Sequence, residues 1–213
     1  NMGGSSSKSN WISAGENVLG KEFNCNKRNK FLIHELPEDD VDYRISHDTG
    51  DRAIEPVIEI KGGTSRRAKD GRMVRVRDRL NIEHLKHGGN SKQIYCLRRK
   101  RVSTHGTKRL EFPAKCRKAN NMADAEATIR KALMNSIGPG TEWNVHRHDK
   151  LVFRANTNFL GTEIEFTDRN GDIKARCTSE YWQRGAGSSF NVVIEPNVDC
   201  LLVLMAIIGI IMD

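Results

Sequence analysis

The sequence lacks the local motifs that mark many enzymes and metal proteins. It contains no Gly-x-Ser-x-Gly elbow, no P-loop, no His-Glu-x-x-His pair and no Cys-x-x-Cys. We therefore expect no catalytic residues, no metal site and no cofactor. A lipid-modifying enzyme is an alternative from a different class, but no constellation of residues points to it.

Cysteine pairs and secretory features are also missing. The five cysteines are Cys25, Cys96, Cys116, Cys177 and Cys200, an odd number with no two close together in the chain. No Asn-x-Ser/Thr acceptor occurs, and the first ten residues are too polar for a secretory signal. These absences predict reduced thiols and a cytoplasmic protein.

The chain carries more positive than negative charge. The chain of 213 residues has 35 Lys and Arg against 27 Asp and Glu, a formal net charge of +8. Such a balance favours an anionic membrane surface, nucleic acid or acidic proteins as partners. Nucleic acid is the weakest of these, because the basic clusters are not interleaved with stacking aromatic residues and only Tyr95 lies near one.

Short apolar stretches between turn signals predict a mainly β protein, long enough for one domain. An Asn170-Gly171 step between two alternating runs predicts a hairpin, since both residues tolerate positive φ. Good helix formers over Met122–Met134 predict a short surface helix. The predicted strands are Phe31–Ile33, Val57–Ile60, Arg72–Leu80, Ile94–Val102, Leu151–Phe153, Glu163–Thr167, Asp172–Arg176 and Phe190–Ile194.

The most distinctive segment is the apolar run Cys200–Met212, which contains no charged residue. A membrane span needs about 20 such residues, so this run is short for one. A helix that is apolar on every side must be enclosed, and among short strands a barrel provides the enclosure. Asp199 is placed to cap its start. The alternatives are a tail anchor or an aggregation-prone tail.

This C-terminal segment carries a family resemblance. Phe190–Asp199 (FNVVIEPNVD) running directly into Cys200–Met212 resembles the C-terminal signature of the LURP-one-related proteins, which belong with tubby C-terminal domains and phospholipid scramblases. An Arg-rich strand at Arg72–Leu80, followed by Cys96–Ser103 and a late hairpin, resembles the upstream pattern. The resemblance covers residues 18–213 and implies a closed β-barrel of about twelve strands around a central hydrophobic helix.

The resemblance also implies a lipid partner. Tubby domains bind phosphoinositides through Lys and Arg, although their binding motif has no residue-by-residue match here. The acidic calcium-binding segment and the cysteine-rich stretch of scramblases are not evident in this chain, which argues against lipid scrambling.

Two basic clusters are the candidate lipid-binding residues. Alternation over Arg72–Leu80 predicts that Arg75, Arg77 and Arg79 share one strand face, where guanidinium groups could meet lipid phosphates. The second cluster is Arg98, Arg99, Lys100 and Arg101. For both clusters the alternative is a solvated strand face paired with nearby carboxylates.

Residues 1–17 are predicted to be a flexible leader. Met2 is the expected start, and Met2–Ser7 matches the M-G-x-x-x-[ST] pattern for acylation of Gly3. A plain Gly/Ser linker is the alternative. One acyl chain holds a membrane only marginally, so the basic clusters would supply the second signal.

Two further groups of polar residues are weak candidates for metal sites. His146 and His148 would point the same way on a strand, but no third ligand can be placed beside them. Asp168–Asp172 lacks the closing Glu of a calcium loop, and the predicted hairpin explains it.

The sequence therefore predicts a non-catalytic binding module that is cytoplasmic and peripheral at the plasma membrane. The alternative is a soluble interaction or regulatory protein of stress or defence signalling, which binds protein partners and no lipid.

Overall fold

The described part of the chain consists almost entirely of strands. The computed structural model describes residues 11–14, 26–36, 41–48, 56–62, 64–67, 69–71, 73–76, 79–85, 91–104, 107–116, 126–132, 140–158, 160–179 and 188–213. The elements are β1 (Asn29–Glu35), β2 (Val41–His47), β3 (Pro56–Lys61), β4 (Thr64–Arg67), β5 (Met73–Val76), β6 (Arg79–Leu85), β7 (Ser91–Arg98), β8 (Lys100–Thr104), β9 (Thr107–Cys116), β10 (Ala127–Lys131), β11 (Glu142–Arg147), β12 (Lys150–Thr157), β13 (Glu163–Thr167), β14 (Ile173–Ser179), β15 (Ser189–Ile194) and α1 (Cys200–Ile211).

Thirteen of these strands form one antiparallel sheet. Its order is β10-β11-β12-β13-β14-β15-β1-β2-β3-β6-β7-β9-β8, and β9 also pairs with β10. The strands β4 and β5 form a separate two-stranded sheet. The prediction of a mainly β fold is confirmed.

The sheet and the helix share one hydrophobic core. Burial alternates along the strands as the sequence pattern predicts: Trp143 and Val145 in β11, and Ile164 and Phe166 in β13, are buried between partly exposed neighbours. Twelve strands of the large sheet contribute buried side chains to a single cluster that also contains the side chains of α1.

The helix α1 is buried on all sides. Every residue from Cys200 to Ile210 is buried, so no face of the helix meets solvent until its last turn. The Asp199 side chain accepts a hydrogen bond from the Leu202 N–H at 3.1 Å, as the capping prediction required. Burial of the apolar run is thus confirmed. Among the residues that the structure describes, no helix has both the length and the apolar character needed to cross a membrane.

Ion pairs hold α1 at both ends. At its start, Asp199 Oδ2 lies 3.4 Å from Arg147 Nη1 at the end of β11, and both side chains are buried. At its finish, Asp213 is bound by Lys131, the last residue of β10, and lies 3.7 Å from Arg99. The helix therefore runs along the sheet from the Arg147 end to the Lys131 end.

The helix predicted over Met122–Met134 is wrong. Ala127–Lys131 is strand β10, and its residues Ala127, Thr128 and Ile129 are buried. Good helix formers dominate the sequence here, but pairing with β9 on one side and β11 on the other outweighs local propensity. The remainder of that prediction falls partly outside the described residues.

The predicted hairpin joins β13 and β14. The Asp168 side chain closes the turn by accepting hydrogen bonds from the N–H groups of Asn170 at 2.8 Å and Asp172 at 3.2 Å. Gly171 has φ 84°, while Asn170 is not left-handed, so the turn needs one flexible residue rather than two. A carboxylate-capped turn explains this sequence without a calcium ion.

One of the cysteines is not the reduced thiol that the sequence predicts. Cys200, at the first turn of α1, is disulfide-bonded, so the prediction of reduced thiols is wrong there. Cys96 and Cys177 are free thiols, and burial raises the pKa of Cys177 to about 12. Spacing along the chain could not reveal the bond, because only folding decides which cysteines meet.

Candidate functional site

The first basic cluster does not lie on one strand. β5 ends at Val76 and β6 begins at Arg79, so Arg75 and Arg79 belong to different strands of different sheets. Arg77 lies outside the described residues. The alternation Val74, Val76, Leu80, Ile82 is interrupted by Asp78 at the position where an apolar side chain would be needed, which explains why the single predicted strand fails.

The second cluster is divided as well. Arg98 ends β7 and Lys100 begins β8, so the predicted strand Ile94–Val102 is two strands. Arg98, Lys100 and Arg101 are exposed, whereas Arg99 is partly buried and faces Asp213. Arg99 therefore holds the end of α1 and is withdrawn from the lipid-binding candidates.

Tertiary structure instead joins one arginine from each cluster. Arg79 and Arg98 are direct partners across β6 and β7, and both are exposed. Directly opposite residues of an antiparallel pair point to the same face, and like charges placed there are destabilising. Arg79 Nε donates to the Cys96 sulfur at 3.2 Å, which keeps this guanidinium beside the strand pair.

Two excursions of the chain begin beside this arginine pair: the first leaves the large sheet, and the second extends that sheet at its edge. After β3 the chain forms the β4–β5 hairpin and re-enters as β6, where Lys61 pairs with Asn81. After β7 it forms β8, which pairs with the first half of β9, and β9 rejoins β7 only from Ala114. The basic end is our name for the end of the sheet at which β3, β7 and β10 finish and at which β6 begins.

The excursions contain the whole net charge of the protein. Residues 62–79 carry seven Lys and Arg against two Asp, and residues 98–111 carry six against one Glu. The chain has 35 basic and 27 acidic residues in all, which leaves 22 basic and 24 acidic residues elsewhere. The net positive charge is therefore concentrated in two segments that start from the same end of the sheet.

Two basic residues on the face formed by β2, β3 and β6 lie in ion pairs. Across β2, β3 and β6, Arg44 contacts Glu59 at 3.1 Å, and Lys61 bridges Glu59 at 2.9 Å and Glu83 at 3.2 Å. Burial alone would raise the pKa of Glu59, but hydrogen bonds from Lys61 and Arg44 lower it overall. This outer face thus fits the solvated, carboxylate-paired alternative.

The chain matches no protein-family model and no curated protein. The candidate site therefore has to be judged on its own geometry.

The two histidines do not form a metal site. His146 belongs to β11, whereas His148 lies in the following turn with φ 43°, so the two do not share a strand face. No group of three or more potential metal ligands occurs among the described residues. Gly3, the candidate for acylation, lies outside them.

The opposition of Arg79 and Arg98 is the feature that sequence reasoning missed. The sequence did contain a signal for it. Arg79 directly precedes the alternating apolar residues Leu80 and Ile82, and Arg98 directly follows Tyr95 and Leu97. That pattern marks the two residues as strand ends, but it does not reveal which strands become neighbours.

Proposed function

We propose that the protein is a non-catalytic binding module that docks on anionic membrane surfaces, phosphoinositide-containing ones among them, through its basic end. The observation that carries the proposal is the opposed exposed pair Arg79 and Arg98, at the point where both basic excursions begin. Arginine suits phosphate because its planar fork can donate two parallel hydrogen bonds.

The arrangement fits a charged plane better than a pocket. Basic residues near an anionic leaflet contribute about 1 kcal/mol each, and their attraction acts within about 8 Å at physiological ionic strength. Lys100 and Arg101 add exposed charge directly after Arg98. An acyl group on Gly3 would provide the second membrane signal, since one signal alone binds marginally.

We further infer that the large sheet closes into a barrel of about twelve strands around α1. The pairing of β9 with both β7 and β10 supports this inference, because it links the two ends of the strand order. So does the burial of α1 on all sides. The same architecture supports membership of the LURP-one-related and tubby-like group, which stays a proposal.

The first test removes the arginine pair. Arg79→Gln with Arg98→Gln should weaken sedimentation with phosphatidylcholine vesicles containing phosphatidylserine about thirtyfold, because two charges of about 1 kcal/mol each are lost. The matched control is Lys150→Gln with Arg169→Gln, which removes two exposed charges from the opposite end of the sheet. Adding a phosphoinositide to the vesicles shows whether a particular headgroup is preferred.

The control variant should bind like wild type, and binding of all proteins should fall as salt is added. Equal loss in both double variants would mean that only net charge matters and would contradict a site at the basic end. Absence of wild-type binding at low salt would favour the soluble regulatory alternative.

The second test concerns the leader. In cells supplied with a clickable myristate analogue, we expect the natural chain to be labelled and Gly3→Ala to be unlabelled, because acylation requires an amino-terminal glycine. The measurement is gel fluorescence after immunoprecipitation, with Gly4→Ala as the control. An unlabelled wild type, or one that retains Met2, would remove the anchor from the proposal.

A further inference from the structure

A single turn presents a large apolar side chain to solvent. Leu160 lies between β12 and β13 and is 69% exposed, more than any other large hydrophobic residue that the structure describes. The only comparable described residue is Ile173, which is 42% exposed at the start of β14. A leucine side chain this exposed buries little apolar area on folding, so Leu160 contributes little to the stability of the core.

The backbone beside Leu160 is firmly held. Asn158 Oδ1 accepts from the Glu163 N–H at 3.2 Å, and Asn158 Nδ2 donates to Thr162 Oγ1 at 2.8 Å. The Gly161 N–H donates to the Asn158 carbonyl at 2.9 Å, with Gly161 in the left-handed region at φ 69°. These bonds close the turn and leave Leu160 pointing away from the core.

The turn lies at the basic end. Lys131 pairs with Trp143 near the start of β11, and Glu142 pairs with Asn156 near the finish of β12, so β12 and β10 finish at the same end. That end also holds Arg79 and Arg98. Ile173 follows the Asp168 turn at the opposite end of the β13–β14 hairpin. The most exposed large apolar residue that the structure describes thus shares one end of the sheet with the exposed residues Arg79, Arg98, Lys100 and Arg101.

We propose that Leu160 is a membrane-inserting tip, so that the domain docks end-on with Leu160 in the boundary of the acyl chains and the basic end against the phosphates. This rests on the proposed function and specifies its geometry. A soluble polyanion or a nucleic acid backbone offers charge but no apolar phase, whereas an anionic bilayer provides both. Glu163, the carboxylate closest to Leu160 in the sequence, is paired with Arg176 at 3.2 Å, which limits its repulsion of the membrane.

The test compares Leu160→Ser with Ile173→Ser. On vesicles of phosphatidylcholine and phosphatidylserine, Leu160→Ser should bind about tenfold more weakly than wild type, since it loses part of the transfer energy of a leucine. Ile173→Ser should bind like wild type. Leu160→Trp should bind at least as tightly as wild type, because tryptophan favours the membrane interface. Heparin, a polyanion without an apolar phase, should bind all four proteins equally.

The outcomes separate the two proposals. If wild type binds vesicles and Leu160→Ser binds equally well, the inserting tip is excluded while the proposed function stands. If Leu160→Ser weakens heparin and vesicle binding alike, the effect is on the fold or the charge and the tip is also excluded. If wild type binds heparin but no vesicles, both proposals fail. Melting temperatures of the variants should match that of wild type.

Discussion

Replacing Ile207 by lysine is expected to abolish folding. Ile207 is 0% exposed at the middle of α1, within a helix whose neighbours are buried on every side. A lysine there would place an ammonium group in the core with no partner, and uncompensated burial of a charge is among the most destabilising changes known. Circular dichroism and size-exclusion chromatography should find an unfolded or aggregated chain.

Two controls accompany this substitution. Ile207→Val should fold and lose about 0.5–1.5 kcal/mol, the usual cost of removing one buried methyl group. Ile173→Lys introduces the same charge at an exposed isoleucine and should leave stability nearly unchanged. A soluble, normally folded Ile207→Lys protein would show that α1 is not enclosed by the sheet.

Removing the carboxylate at the start of α1 should be almost as damaging. Asp199 is 1% exposed, accepts the capping hydrogen bond from Leu202 and contacts buried Arg147. Asp199→Ala leaves the Arg147 guanidinium buried without this carboxylate, and breaking a buried pair in this way costs about 3–5 kcal/mol. Loss of the cap adds about 1 kcal/mol. Urea denaturation measures the sum.

Asp199→Asn separates the two contributions. Asparagine caps helices as well as aspartate does, so this variant retains the cap and loses only the charge. We expect it to be destabilised by somewhat less than Asp199→Ala. If Asp199→Asn were as stable as wild type, the ion pair with Arg147 would be stabilising nothing, and the large effect assigned to it would be wrong.

The ion pairs at the two ends of α1 also bear on the site. Asp213, two residues after α1, joins Lys131 and Arg99, so the helix finishes at the basic end and is tied there to a member of the second cluster. Neutralising Arg99 would therefore disturb the core as well as the surface charge. Arg79 and Arg98 are better targets, because both are exposed on the outside of the sheet.

Errors in the sequence-based predictions fall where local pattern and tertiary pairing disagree. Ala127–Lys131 has the composition of a helix and is a strand, because two neighbouring strands supply its hydrogen bonds. The sequence pattern predicts that Arg75 and Arg79 share a strand face. In the structure they lie in different sheets. In both cases the local preference amounts to a few tenths of a kcal/mol per residue, less than pairing and burial contribute.

Four features of the fold could be predicted from the sequence: the β class, the strands with clear alternation, the Asp168–Asp172 turn and the burial of Cys200–Met212. Each follows from a local rule: a period of two residues, a turn side chain that caps its own backbone, or an apolar run too short for a bilayer. By contrast, strand pairing and packing place Arg79 opposite Arg98, Arg99 beside Asp213 and Leu160 at the same end of the sheet. These relations depend on which strands become neighbours. Spacing along the sequence does not predict this, because strand pairing joins residues that are far apart in the chain.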